Sequence, residues 1–162
     1  MAYHPVTEKI STLLKEKGAW FETFEHEPVR TSEEAAAVRP DYNISQGSKA
    51  LIVRVKKDGQ KFFVMVVVPG DKKFDAKKLR AAFGLGDLRF ASEAEVGEIT
   101  GGVLPGGVPP FGNIFGLAVY ADNAVFQNEK IIFNAGDRSF SIGMHSKDYD
   151  AIVEPHHGDI AA

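Results

Sequence analysis

Two apolar runs, residues 51–56 and 61–68, stand on either side of a short Asp58-Gly59 connection and constrain the fold more than any other feature. Asp-Gly supplies the positive φ that a tight hairpin turn requires, so the runs predict neighbouring antiparallel strands. A hairpin at the centre of the chain is hard to reconcile with regular βαβ alternation.

The flanking segments agree. Residues 7–17 place Ile10, Leu13 and Leu14 on one helical face, with Gly18 as the stop. Residues 20–24 alternate as a strand. Thr31-Ser32-Glu33-Glu34 has the capping-box pattern and opens a short alanine-rich helix. Asp75 caps a helix through Phe83 that Gly84 ends, with Leu79, Ala82 and Phe83 as its expected buried side. Ser92 and Glu95 make a second capping box for a helix that stops at Thr100-Gly101. Strands are expected at 114–120, 130–133 and 139–142, and Ser146 is expected to cap a last helix to about residue 153. This order predicts an α/β chain of the α+β type, with a mixed or antiparallel sheet and helices packed outside, rather than a doubly wound fold.

With 162 residues and no linker or repeat, residues 1–162 read as one domain. The absence of cysteine excludes disulfides and thiolate chemistry. No apolar run approaches the ~20 residues of a membrane span, and no basic-then-apolar leader opens the chain. A cytoplasmic location is therefore expected, with no membrane partner. The net charge of −3 speaks against broad nucleic-acid binding, and no DNA partner is expected. A local basic patch remains compatible with it.

Leu104-Pro105-Gly106-Gly107-Val108-Pro109-Pro110-Phe111-Gly112 mixes residues that open backbone space with residues that fix φ and delete a donor. Such a segment is a loop of one shape whose glycines leave main-chain N–H groups open to a ligand. A tight surface connection is its plainer reading. Lys49 stands at the mouth of the apolar strand, where its ammonium meets an anion or carbonyl, or simply snorkels. His26 follows the first strand as a pocket wall, a base or a turn residue. The Thr31 hydroxyl is accounted for as a cap. Asn134-Ala135-Gly136 sits at an expected strand-to-strand bend. His156-His157 lacks further ligands at metal spacing, so no metal is expected. Lys72, Lys73, Lys77, Lys78 and Arg80 gather around one helix, either as a phosphate-binding face or as a solvated one.

Taken in order, Glu25-His26-Glu27-Pro28-Val29, Lys49-Ala50-Leu51, Phe74-Asp75-Ala76-Lys77-Lys78-Leu79, Thr100-Gly101, the glycine-proline loop, Phe133-Asn134-Ala135-Gly136 and Ser141-Ile142 resemble the YbaK/prolyl-tRNA synthetase-associated editing domain family. The resemblance covers nearly the whole chain. It implies a barrel-like mixed sheet surrounded by helices and hydrolysis of the ester on a mischarged tRNA, with no cofactor. The partners implied are that tRNA and, as a further candidate, an aminoacyl-tRNA synthetase. The strand-opening lysine and the Gly-x-x-x-Pro loop would shape the catalytic site, here Lys49, Gly106, Gly107 and Pro110. Phe24, His26, Thr31, Gly112, Asn134, Gly136 and Ser141 are then the substrate-binding candidates. Lys77, Lys78 and Arg80 are the RNA-binding ones. Ser141 stands where some bacterial members carry an aspartate. A non-catalytic tRNA-end or synthetase-binding module and a small-molecule ester hydrolase on the same fold are the rival functions.

Overall fold

The computed structural model describes residues 3–29, 31–39 and 41–162. In chain order its elements are α1 (Pro5–Glu16), β1 (Phe21–Glu25), α2 (Ser32–Val38), β2 (Ser48–Lys57), β3 (Gln60–Pro69), α3 (Ala76–Phe83) and β4 (Gly86–Phe90). Then come α4 (Glu93–Thr100), β5 (Val119–Asp122), β6 (Lys130–Asp137), β7 (Phe140–His145), α5 (Ser146–Val153) and β8 (His156–Gly158). The expected hairpin is β2–β3, paired antiparallel from Ser48↔Pro69 to Lys57↔Gln60. Asp58 (φ 52°) and Gly59 (φ 78°) both adopt left-handed backbone, the turn geometry whose twist suits the strands it joins.

The hairpin is apolar on both faces because both are covered. Ala50, Ile52, Met65 and Val67 join Ile10 and Leu14 of α1 and Ile131, Phe133, Ile142 and Met144 of β6 and β7 in the main core. Val53, Val55, Val64 and Val66 lie instead under Leu79 of α3, Leu85 and Ile160. Strand pairing makes a five-stranded mixed sheet, β4-β2-β3-β5-β8, and a three-stranded antiparallel one, β1-β7-β6. An isolated bridge, Gly47↔Ile132, links the residue just before β2 to β6. The α+β architecture with helices outside is as expected, and its strands divide between two sheets.

Several local expectations change. Residues 114–120 are not one strand: Gly112–Phe115 forms a 3-10 turn, Gly116 at φ 72° ends it, and only Val119–Asp122 is extended. The strand expected at 130–133 runs on to Asp137, so Asn134, Ala135 and Gly136 belong to β6 and not to the bend. Its register slips between Asn134 and Asp137, a bulge that Gly136 accommodates at φ 96°. Ser146 is the first residue of α5 and not its cap; its hydroxyl donates to the Asn128 carbonyl. Ala82 is exposed, while Leu79 is buried and Phe83 packs edge-on against Tyr120 at 4.5 Å. Short β4 and β8 lie at the sheet edges; β4 alternates Leu88 and Phe90 with Asp87 and Arg89 over only five residues, and the three residues of β8 carry no alternation. Among the described residues no helix is long and apolar enough to cross a membrane.

Candidate active site

A cavity of about 190 Å³ lies among α2, Asn43 and Ile44, the start of β2, Gly70 after β3, the Pro105–Gly107 turn and Asn134 on β6. Val29, Ala35, Ala36, Leu51 and Val108 give it an apolar wall. Its charged lining groups are Lys49 and Arg39, and no carboxylate lines it among the described residues. Lys49 is brought there by the strand register, one residue after the buried Ser48 and opposite Val68. Its ammonium makes no hydrogen bond or ion pair with any described residue, so its donors remain available to a ligand.

Arg39 is the functional candidate that sequence reasoning missed. It follows the last residue of α2, and Pro40 comes next in sequence. A residue before proline is pushed out of helical conformation, and Arg39 is accordingly extended (φ −114°, ψ 94°). That turn sends the side chain inward, where the residue is only 6% exposed. Its Nε donates to Ser141 Oγ at 3.0 Å and its Nη2 to Asn134 Oδ1 at 2.7 Å. Burial lowers its pKa to about 10, which leaves it charged at neutral pH.

From Arg39 the polar network spreads both ways. Asn134 Nδ2 donates to the Gly106 carbonyl at 2.8 Å, tying β6 to the glycine loop. Arginine only donates and a carbonyl only accepts, so the two contacts agree on the orientation of this amide. On the other side His26 Nε2 lies 2.7 Å from Ser141 Oγ, and His26 Nδ1 lies 2.8 Å from the Glu27 carbonyl. The carbonyl requires the proton on Nδ1, so in a neutral ring Nε2 accepts from the serine hydroxyl. His26 and Ser141 thus stand behind the cavity, separated from it by Arg39, which lines it.

The loop is more internally committed than its glycines suggest. Gly107 N–H donates to the Leu104 carbonyl at 2.8 Å and Val108 N–H to the Pro105 carbonyl at 3.4 Å. Gly106 N–H has no such partner among the described residues, which makes it the loop's free main-chain donor on the cavity wall. A Cβ on Gly106 would meet the flexible Arg138 side chain at 3.0 Å. One on Gly107 would meet the Asp137 and Gly136 backbone at 3.2–3.3 Å. Close packing on β6 thus explains the second glycine.

The other predicted residues divide. Thr31 lines the cavity and also caps α2, its hydroxyl accepting from Glu34 N–H at 3.0 Å. Pro110 lies beyond the cavity, where its carbonyl accepts from the buried Tyr149 hydroxyl at 2.6 Å. Phe111 beside it packs on Phe133 and Tyr149. Phe24 pairs with Ser141 across β1–β7, its ring edge-on to Tyr42. Gly136 packs against Thr7, and Gly112 against Val119 and Met65; neither lines the cavity. Lys77 is exposed, whereas Lys78 donates to Asp159 at 3.1 Å and to the Ala161 carbonyl at 2.9 Å, anchoring the tail. Arg80 is half-buried on the same helix. His156 stacks on Tyr120 and His157 on Phe126. Among the described residues no three His, Asp or Glu side chains converge as a metal site.

Comparison with known proteins gives a consistent set of similarities. The family model for the aminoacyl-tRNA editing domain matches residues 26–152. The multifunctional Ser/Thr-tRNA deacylase ProXp-y of Escherichia coli (strain K12) is 34% identical over 157 residues, covering 96% of this chain and 93% of that protein. A proline–tRNA ligase of Stenotrophomonas maltophilia (strain R551-3) is 30% identical over 131 residues, 81% of this chain and 23% of that enzyme. Among solved structures, a candidate trans-editing enzyme for prolyl-tRNA synthetase superposes with a TM-score of 0.83 at 25% identity, covering 99% of both chains.

Proposed function

The chain belongs to the aminoacyl-tRNA editing domain family, and on that premise we propose that it is a trans-editing deacylase that hydrolyses the ester of a mischarged tRNA at the cavity of Lys49 and Gly106. The observation that supports the site assignment is that one small cavity is lined both by Lys49, whose ammonium has no partner among the described residues, and by Gly106, whose main-chain N–H has none among them either. Both are donors suited to a carbonyl oxygen that gains negative charge.

An aminoacyl ester is already activated, and its hydrolysis calls for no covalent nucleophile and no metal. Water adds to the ester carbonyl carbon, and the carbonyl oxygen becomes an oxyanion that Gly106 N–H and the Lys49 ammonium stabilise. The C–O bond to the terminal ribose then breaks. The ribose oxygen takes up a proton, leaving free amino acid and a tRNA with its hydroxyl restored. The terminal ribose's other hydroxyl is well placed to orient the water. Pocket size selects the acyl group: about 190 Å³ is close to the ~150 Å³ that holds one benzene ring. Small side chains fit, and the Ser/Thr activity in the name of the Escherichia coli relative supports seryl and threonyl errors as substrates. The cell compartment proposed is the cytoplasm, where charged tRNA is used.

Incubation with a panel of mischarged tRNAs tests the reading. Release of small amino acids supports it; tight binding with no turnover of any member would make the chain a binding module instead.

The tRNA body needs a surface of its own, and we assign it to the exposed side of α3. Changing Lys77, Lys78 and Arg80 together to alanine is expected to weaken tRNA binding and to flatten its salt dependence, by roughly one unit of log–log slope per lost phosphate contact. Turnover at saturating substrate should change little. Because Lys78 already holds Asp159 and the Ala161 carbonyl, Lys77 and Arg80 should carry most of the effect. An unchanged affinity and slope would return this helix face to solvent.

A further inference from the structure

The Arg39 guanidinium is a buried charge without a carboxylate partner among the described residues, an arrangement that costs stability unless its donors are used. Two of its nitrogens are used, and both contacts lead to predicted site residues. Nε holds Ser141 Oγ at 3.0 Å, and Nη2 holds Asn134 Oδ1 at 2.7 Å. With its oxygen fixed, the Asn134 amide can only turn Nδ2 toward Gly106, whose carbonyl it meets at 2.8 Å. The Gly106 carbonyl shares a planar peptide unit with the Gly107 N–H, which donates to the Leu104 carbonyl, so that unit is held at both ends and limits the rotation open to the Gly106 N–H one unit before it. Nη1 has no hydrogen-bond partner among the described residues, and a Cβ at Gly47 would lie 3.6 Å from it.

We propose that Arg39 is a positioning residue for deacylation: by clamping Ser141 and Asn134 it fixes the Gly106 carbonyl, and with it the loop whose free N–H faces the ester. The proposal rests on the deacylase reading for its chemistry, whereas the clamp itself is a property of the unliganded protein. Lysine cannot replace it. An ammonium is a point donor on a flexible stem and does not reproduce the planar fork that reaches two acceptors in different directions.

Arg39→Lys keeps the charge and most of the volume, and Arg39→Ala removes both. Each is expected to lower kcat on a mischarged tRNA about 10²-fold, the effect of a reacting geometry displaced by roughly an ångström. KM should move little, because the clamp acts on the loop and not on the RNA surface. Added guanidinium ion should restore part of the Arg39→Ala rate. The Arg39→Ala/Asn134→Ala pair should be no slower than the slower single variant, since both break one chain of contacts. A second readout needs no substrate: in Arg39→Lys, amide hydrogen exchange at Gly107 and Val108 should quicken at least tenfold while core amides keep their protection.

Parental kcat in Arg39→Lys, or losses that multiply in the double variant, would overturn the proposal. If the parental protein turns over no mischarged tRNA, the deacylase reading fails instead. Exchange at Gly107 and Val108 then still decides the clamp, and unchanged exchange overturns it. Should Arg39→Ala not fold, Arg39→Lys gives both measurements.

Discussion

Lys49→Ala is expected to lower deacylation of a mischarged tRNA about 10²–10³-fold, the usual consequence of losing one oxyanion donor, with Tm close to parental. The ammonium has no partner among the described residues, so its removal orphans no buried group. The neighbouring Ser48↔Pro69 and Ala50↔Val67 pairs hold the strand without it. Lys49→Met, which keeps the length and drops the charge, should be as inactive as the alanine variant. That result would separate loss of the donor from loss of packing. A folded Lys49→Ala protein with the parental rate would place the reacting ester elsewhere.

Gly112→Ala is the expected opposite: a large loss of stability with turnover per folded molecule preserved. A Cβ there would lie 2.6 Å from Val119 Cγ2, 3.1 Å from the Leu117 carbonyl and 3.3 Å from Met65 Cβ; Val119 and Met65 are core residues and Leu117 packs against that core. Overpacking of this kind costs about 1–3 kcal/mol, and a chain of this length loses about 2–4 °C of Tm per kcal/mol. The valine methyl can move, but the Leu117 carbonyl is backbone in a turn closed by the 2.9 Å bond from Leu117 N–H to the Gly112 carbonyl, and shifting it would disturb that turn. Thermal denaturation beside kcat decides the matter. A variant with parental Tm and a depressed kcat would give Gly112 the substrate-binding role that its motif suggests.

Glycine is where sequence and structure part most clearly. Gly106, Gly107 and Gly112 belong to one motif and look equivalent in sequence. In the fold the first lines the cavity, the second lies against the backbone of β6, and the third meets the core. Those differences depend on what lies opposite each residue, and opposition is set by long-range pairing. Features governed by near neighbours were legible. The β2–β3 hairpin follows from Asp58-Gly59, and the α3 and α4 boundaries follow from Asp75, Gly84, Ser92 and Gly101. Lys49, Thr31, Gly106 and Asn134 do meet at one cavity, although they are far apart in sequence. Arg39 was not seen because nothing local marks it as polar and buried. The one signal in the sequence is that a proline follows it, and a residue before proline is disfavoured in helical conformation. The strand at 114–120 failed for the reverse reason: Gly112 and Gly116 interrupt an apolar run that reads well as an extended segment.

On the reading proposed, this cavity hydrolyses the ester while the tRNA end is bound beside it. The most direct measurement is the initial rate of amino-acid release from a seryl ester on a non-cognate tRNA, set against the same serine as a simple alkyl ester. Rapid release is expected from the tRNA and little from the alkyl ester, with the tRNA reaction lost in Lys49→Ala. Equal turnover of both esters, or release that Lys49→Ala leaves intact, would overturn that reading.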